Sequence, residues 1–182
     1  SKMKRPEDGG SRLAIVFNGS PLFTGAAGSG ESEIRRWIIE NDWLEAVVAL
    51  PDQLFYNTGI STYFWVVTNR KDPERRGKVQ LIDARNCFVK MRKSLGEKRK
   101  QISDHQIADI VRAYGEFTEV NGGSADDNGG DPKPSVKIFP NEAFGFLRIT
   151  VERPLRLRWE VTDEGVEALR ADKKFAKLTE DD

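Results

Sequence analysis

The chain has few of the residues from which most active sites are built. Its 182 residues include one cysteine and one histidine. A single cysteine, Cys87, excludes an internal disulfide and any zinc site that needs several cysteines, and we expect it to be structural. The histidine, His105, has no recognisable nucleophile or acid partner, so we expect a solvent-exposed residue at a helix start rather than a catalytic base. Metalloprotease, phosphate-loop, nucleophile-elbow and EF-hand patterns are absent from the sequence, which therefore predicts no metal site and no complete active site.

Long apolar runs are also missing. No run approaches the roughly 20 residues that span a bilayer, and no apolar segment follows the N-terminus as it would in a signal peptide. We therefore expect a cytoplasmic protein with no membrane partner. The net charge is zero, but seven of the cations crowd one window that contains a single acid, Glu97. A neutral total therefore does not exclude a basic patch that faces an anionic partner. The cations of this basic window are Arg85, Lys90, Arg92, Lys93, Lys98, Arg99 and Lys100.

The apolar residues that are present indicate an α/β fold. Leu13 to Phe17 is a short continuous apolar run, typical of a fully buried strand. A helix is predicted from Glu31 to Glu40, with Ser29 or Ser32 as its cap. Leu44 to Leu50 is a second strand, so the order is that of a βαβ-like unit. Ile60 to Thr68 is β-branched and aromatic, which predicts a buried strand. Val79 to Asp83 predicts another strand, paired with the previous one as a hairpin.

The remainder of the chain reads as one strong helix followed by a separate part. Ser103 and Gln106 fit a capping box, which predicts a helix from Asp104 to Phe117. The basic window before it is expected to be loop with some helix. We predict an α/β domain over 1–120, a flexible linker over 121–134 and a small C-terminal appendage over 135–182. Within the appendage we predict strands at Val136 to Phe139, Leu147 to Val151 and Leu155 to Trp159, and a helix from Asp163 to Asp172.

An unusual connector lies between the second and third predicted strands. Phe55 and Tyr56 precede Asn57, Thr58 and Gly59 at a turn, where solvent would normally reach them. Two aromatic residues on the approach to a turn need a partner surface, since exposed aromatic area is unfavourable in water. On the residues alone we expect both to pack over the sheet edge as a hydrophobic plug.

Three segments resemble one protein family in order and in wording. They are GGSRLAIVFNGSPLFTG, EIRRWIIENDWLEAVVALPDQLFYNTGISTYFWVVTN and GKVQLIDAR. They resemble the downstream half of the N6-adenine DNA methyltransferase domain in modification (M) subunits of type I restriction–modification systems. FGFLRITVERPLRLRW is similar to a segment that follows this domain in long family members. The pairing of L-P-x-x-L-F-x-x-T-G-I with a later G-K-V-x-x-I-D-A makes the resemblance specific.

The resemblance implies a partial Rossmann-like methyltransferase sheet with a small C-terminal appendage. The family sheet binds S-adenosylmethionine through a Gly-rich turn and carries a catalytic Asn-Pro-Pro-Phe motif, neither of which occurs here. The expected protein is therefore a C-terminal fragment, with cofactor use in the parent and none in the fragment. On this mapping Leu13 to Phe17 is the fifth strand and Leu44 to Leu50 the sixth. Ile60 to Thr68 is a reversed seventh strand inserted between them.

The resemblance also gives the connector and the basic window candidate roles. Adenine methyltransferases flip the target base into a pocket, and an aromatic residue of this loop stacks on it in related enzymes. Phe55 matches that position, with Tyr56 the neighbouring alternative, and Asn57, Thr58 and Gly59 would shape the pocket wall. The hydrophobic plug remains the alternative for Phe55 and the favoured interpretation for Tyr56. For the window, phosphate contact and an ordinary solvated loop are both open. The candidate phosphate contacts are Arg92, Lys93, Lys98, Arg99 and Lys100.

The function implied by the resemblance is transfer of a methyl group from S-adenosylmethionine to adenine N6 in double-stranded DNA. The partners implied are the specificity (S) and restriction (R) subunits of the same system. The fragment alone is expected to be inactive. A non-enzymatic α/β module that docks DNA or partner subunits is the alternative, and an intact small enzyme of another type is a third reading that the empty motif inventory disfavours.

Overall fold

The computed structural model describes residues 2–122, 132–147, 149–154, 158, 160–172 and 175. The chain divides into two compact units, Ser1–Arg148 and Ile149–Asp182. The strands, all in the first unit, are β1 (Arg12–Asn18), β2 (Leu44–Ala49), β3 (Thr62–Thr68), β4 (Lys78–Asp83), β5 (Val89–Leu95), β6 (Lys98–Gln101) and β7 (Ser135–Pro140). The α-helices are α1 (Ser20–Phe23), α2 (Gly30–Glu40), α3 (Asp104–Glu116) and, in the second unit, α4 (Asp163–Ala171). Short 3₁₀ turns lie at Pro6–Asp8, Pro73–Arg75 and Asn141–Phe144.

The main sheet has five strands in the order β1-β3-β2-β4-β7. β3 runs antiparallel to both β1 and β2, while β2 and β4 are parallel. β7 closes the other edge antiparallel to β4. The α/β class and the reversed strand inserted between β1 and β2 are therefore confirmed. Because β1, β2 and β4 run in the same direction, their carboxyl ends lie at the same end of the sheet, where ligand sites of α/β folds form.

The predicted hairpin between Val79 to Asp83 and the preceding strand is wrong. Both edges of β3 are already occupied by β1 and β2, so the chain crosses over β2 and adds β4 on its far side. In this position Val79 and Ile82 are almost fully buried. Parallel pairing beside β2 puts the ends of β2 and β4 next to each other, where the Ala84 N–H donates to the Ala49 carbonyl at 2.9 Å.

The prediction that Leu13 to Phe17 is fully buried is also wrong. β1 is a strand, but it pairs with β3 alone among the described residues. Ile15 and Val16 are 40% and 42% exposed. A continuous apolar run predicts cover on both faces, and within the described part of this chain β1 lacks that cover.

The downstream predictions have mixed outcomes. Val136 to Phe139 lies in β7, which is a strand of the main sheet and belongs to the first unit. The described residues of the stretch from 147 to 151 form no strand. In the second unit the predicted helix is confirmed as α4, capped by Thr162. The predicted strand over residues 155–159 and most of the predicted linker lie outside the described residues.

The local helix signals are confirmed. Ser103 and Gln106 form the reciprocal capping box of α3, and the Ser29 side chain caps α2. His105 is exposed, with a side-chain exposed fraction of 68%, and faces Asp109 one turn along α3. Cys87 is buried, as expected of a structural residue. Capping depends on neighbours within four positions, so the sequence alone is sufficient to specify it.

A buried polar cluster joins α3 to the sheet. The Glu45 side chain, on β2, is fully buried, and its carboxylate lies 3.0 Å from Arg12 Nε and 3.8 Å from Arg75 Nε. The Tyr114 hydroxyl, on α3, donates to Glu45 Oε2 at 2.9 Å. Burial and this hydrogen bond raise the pKa of Tyr114 to about 12. A carboxylate removed from water in this way depends on its cationic neighbours, because an unpaired buried charge is strongly unfavourable.

Arg75 is the second anchor of this cluster. Its side chain is 5% exposed. The guanidinium donates to Gln80 Oε1 at 3.1 Å and to the Tyr114 carbonyl at 2.5 Å. It also lies 4.4 Å from the centre of the Phe117 ring. A cation at the carboxyl end of a helix is favourable, since the last carbonyls carry partial negative charge.

Candidate nucleic-acid interface

The connector between β2 and β3 places its aromatic residues at the surface. Phe55 and Thr58 form an isolated antiparallel bridge around a turn, so Tyr56 and Asn57 occupy its tip. Leu54 points inward and packs against the core, whereas Phe55 is 37% exposed and Tyr56 is 59% exposed. At the far side of the turn, the Ile60 N–H donates to Thr58 Oγ1 at 3.4 Å. The connector therefore has an inward anchor followed by an outward aromatic pair.

The basic window forms a β-hairpin, so the prediction of loop with some helix is wrong. β5 and β6 pair antiparallel, with Val89 opposite Gln101 and Leu95 opposite Lys98. The hairpin turns at Gly96, which has a positive φ of 62° that glycine adopts most readily. Val89 and Met91 alternate with basic residues before this glycine. That alternation predicts a strand and was the available signal for the hairpin.

The hairpin and the connector are in direct contact. They meet because β5 follows the carboxyl end of β4 and the connector follows the carboxyl end of the neighbouring β2. The Glu97 N–H donates to the Tyr56 carbonyl at 3.0 Å, and the Arg99 N–H donates to the Gln53 carbonyl at 2.9 Å. Lys98 Nζ donates to the Leu54 carbonyl at 3.0 Å. The two groups of residues predicted separately from the sequence thus form one surface.

The five predicted phosphate contacts divide into two kinds. Lys98 and Lys100 are turned to the connector: Lys98 Nζ also lies 5.5 Å from the centre of the Tyr56 ring, and Lys100 Nζ pairs with the Asp52 carboxylate. Arg92, Lys93 and Arg99 are exposed and have no side-chain hydrogen bond or ion pair with the described residues. These three cations are therefore the ones available to an anionic partner.

Lys90 and Arg85 also belong to the basic window. Lys90 is exposed on β5. Arg85 differs, because it pairs with Asp83 at 2.6 Å. Its side-chain hydrogen bond is the main reason that the pKa of Asp83 is lowered. Arg85 therefore already has a carboxylate partner, whereas Lys90 extends the set of available cations.

Sequence reasoning missed the residues that join the two segments. Gln53 has a positive φ of 56°, which is uncommon for a residue other than glycine, asparagine or aspartate. Gly59 lies against the hairpin turn, since a Cβ built there would be 3.1 Å from Glu97 Oε2. No sequence signal marks either contact, because the contacts form between segments about 40 residues apart.

The described ranges contain neither a metal site nor a transmembrane helix. No group of three or more His, Cys, Asp or Glu residues among them is arranged to hold a metal ion. No helix within these ranges is long and apolar enough to cross a membrane.

Comparison with known proteins identifies the family. The family model described as N-6 DNA Methylase matches residues 3–128, which is more than half of the chain. The chain belongs to the N-6 DNA methylase family. The match includes α2, the whole connector and the basic hairpin, so all of the candidate interface lies within the part shared with the family.

Curated relatives and a solved structure agree with this family membership. The chain is 35% identical over 111 residues to the type I restriction enzyme MjaVIII methylase subunit of Methanocaldococcus jannaschii. It is 41% identical over 106 residues to the HindI methylase subunit of Haemophilus influenzae. The matches cover 61% and 58% of this chain. They cover only 18% and 22% of those relatives, so the chain matches about a fifth of their length.

The fold also matches that of a solved methyltransferase subunit. The crystal structure of the type I restriction-modification system methyltransferase subunit from Streptococcus thermophilus superposes with a TM-score of 0.55 and 25% sequence identity. The match covers 72% of this chain and 23% of that subunit. The predicted methyltransferase-like α/β architecture is therefore confirmed.

Proposed function

We propose that this chain is the downstream part of a DNA adenine-N6 methyltransferase subunit of a type I restriction–modification system. Its role is to supply one wall of the target-base pocket together with a phosphate-binding hairpin. In this proposal S-adenosylmethionine provides the methyl group in the parent protein. The specificity subunit selects the DNA sequence, and the restriction subunit joins the complex for cleavage.

The observation that carries the proposal is the contact between the aromatic connector and the basic hairpin at the carboxyl ends of β2 and β4. A flipped adenine needs a flat apolar face to replace the stacking it loses in the duplex. The DNA backbone on either side needs cations. Phe55 offers the exposed ring, and Arg92, Lys93 and Arg99 offer cations on the hairpin that contacts its connector.

The chain does not contain the residues expected to hold the cofactor. No Asn-Pro-Pro or Asp-Pro-Pro occurs in the 182 residues, and the loop before α2 carries no nucleotide-binding fingerprint. The described residues do offer a place for the rest of the sheet, because the outer edge of β1 has no strand partner among them. Residues elsewhere in the parent would therefore bind the cofactor and orient the adenine amino group.

A methyl-transfer assay tests the proposal directly. The full-length subunit, assembled with its specificity subunit, is expected to transfer methyl groups from S-adenosylmethionine to adenine N6, measured as N6-methyladenine by mass spectrometry. This 182-residue chain alone is expected to show neither transfer nor heat of binding in a calorimetric titration with S-adenosylmethionine. Tight binding to the chain alone would contradict the proposed division of labour. A full-length protein that binds DNA without methylating it would favour the interaction module.

Replacing the exposed cations tests the phosphate-binding role. Replacing Arg92, Lys93 and Arg99 together by alanine is expected to reduce the slope of log K against log salt by about 2.7, if each contacts one phosphate. The measurement is DNA affinity of the assembled full-length protein across a salt series. Arg76→Ala removes an exposed cation before the amino end of β4, away from the hairpin, and should leave the slope unchanged. An unaltered slope in the triple variant would assign the hairpin cations to a solvated surface.

A further inference from the structure

We infer that the tip of the β5–β6 hairpin holds the Phe55 ring in position, and that Gly96 and Lys98 are the positioning residues. This inference deepens the proposed function and rests on it. Neither residue is expected to touch the target base. Their effect on the reaction passes through the backbone that carries Phe55.

The backbone on both sides of Phe55 is held by the hairpin. The Leu54 carbonyl, just before Phe55, accepts from Lys98 Nζ at 3.0 Å. The Tyr56 carbonyl, just after it, accepts from the Glu97 N–H at 3.0 Å. Each carbonyl fixes the plane of its peptide unit. The two bonds fix the peptide planes before Phe55 and after Tyr56, and so together restrict the dihedrals of the two residues between them.

The connector has little structure of its own to replace this support. Its turn is closed by the single bridge between Phe55 and Thr58. Gln53 is in the left-handed region at φ 56°, a conformation that persists only when the surroundings hold it. The Gln53 carbonyl accepts from the backbone N–H groups of Arg99 and Lys100, at 2.9 and 3.2 Å. The hairpin therefore supports the connector along its length.

The contact at Gly96 leaves no room for a side chain. A Cβ built on Gly96 would lie 2.9 Å from the Tyr56 carbonyl oxygen, closer than carbon and oxygen normally approach. Since that atom is backbone, the connector and not a flexible side chain would have to move. Glycine is needed here both for its positive φ of 62° and for this close approach.

The hairpin is itself fixed at its base, as it must be if its tip is to hold the connector in position. Cys87 is buried immediately before it, and Ile102 packs against the core immediately after it. Lys100 Nζ lies 3.9 Å from the centre of the Phe88 ring, and the same ammonium group pairs with Asp52 at the start of the connector. The hairpin base is therefore tied to the core, and its tip reaches the connector.

The test uses the full-length subunit assembled with its specificity subunit. The kinetic constants kcat and KM are measured on DNA with adenine at the target position. Base flipping is followed separately on DNA that carries 2-aminopurine there, an adenine analogue that lacks the 6-amino group and fluoresces when unstacked. Gly96→Ala and Lys98→Met are each expected to lower kcat about tenfold or more, because a misplaced contact costs this much in oriented reactions. They should also reduce the fluorescence change on binding, with a smaller effect on KM. Lys98→Arg keeps a donor and a charge, and should restore most of both signals.

Matched variants separate positioning from general damage and from charge. Gly77→Ala imposes the same backbone strain, at φ 69°, where a Cβ would meet no atom within 4 Å. It is expected to leave kcat and fluorescence unchanged. If Lys98→Met changes only the salt dependence of DNA affinity, Lys98 contacts phosphate and the positioning inference is overturned. If Phe55→Ala impairs catalysis while Gly96→Ala and Lys98→Met do not, the inference fails and the proposed function stands. If Phe55→Ala itself has no effect, the proposed base-pocket function fails.

Discussion

The Phe55→Ala variant of the full-length protein is expected to methylate target DNA roughly 5- to 160-fold more slowly, the rate equivalent of the ~1–3 kcal/mol of one base–aromatic stack. The ring is 37% exposed at the carboxyl ends of the parallel strands, where it can meet a flipped base without first breaking a core contact. The measurement is the single-turnover rate of methyl transfer with the specificity subunit present. Phe55→Trp keeps an aromatic face and should retain most of the rate.

A matched aromatic control lies at the opposite end of the sheet, near the amino ends of the parallel strands. Phe139 is 39% exposed, close to the value for Phe55, but it pairs with Val79 near the amino end of β4. Phe139→Ala should therefore lower stability without changing the single-turnover rate. Equal rates for Phe55→Ala and wild type would remove Phe55 from the base pocket and return it to the hydrophobic plug.

The Glu45→Ala variant is expected to lose about 3–5 kcal/mol of unfolding free energy, the range measured when one partner of a buried ion pair is removed. The substitution leaves the Arg75 guanidinium buried without its carboxylate, and the Tyr114 hydroxyl without its acceptor. Arg12 is half exposed and can recover its hydration, so the cost arises mainly at Arg75 and Tyr114. Urea unfolding of the 182-residue chain, followed by circular dichroism, measures it.

An exposed ion pair provides the control for this prediction. Glu33 pairs with Arg36 on the surface of α2, with side chains 51% and 61% exposed. Glu33→Ala should cost less than about 1 kcal/mol, because water screens such pairs. The double variant Glu45→Ala with Arg75→Met should lose less unfolding free energy than the sum of the losses of the two single variants, since the residues share one network. A loss near that of Glu33→Ala would show that Glu45 is not a buried anchor.

The local features of this fold could be predicted from the sequence because each depends on near neighbours. The capping box of α3 and the Ser29 cap of α2 satisfy helix-end N–H groups from within four positions. The apolar content of β3 predicted a buried strand, and its place between β1 and β2 followed from the family resemblance. Phe55 was chosen in the same way, and its role remains a prediction.

The pairing of β4 was decided by the tertiary structure. A strand that follows another at short range can either form a hairpin with it or cross over to another neighbour, and local propensity does not distinguish the two. The β1–β3–β2 arrangement occupies both edges of β3, which sends β4 to β2. Among the described residues β1 lies at an exposed edge, although its sequence is that of an ordinary buried strand.

The sequence by itself determined the class of the protein, its helix ends and a list of candidate residues. Only the tertiary structure decided which candidates lie together. Placing β4 beside β2 brings the basic hairpin onto the connector, which turns Lys98 and Lys100 toward it and leaves Arg92, Lys93 and Arg99 exposed. The physical reason is that these contacts join segments some 40 residues apart, and such contacts follow from strand order rather than from local pattern.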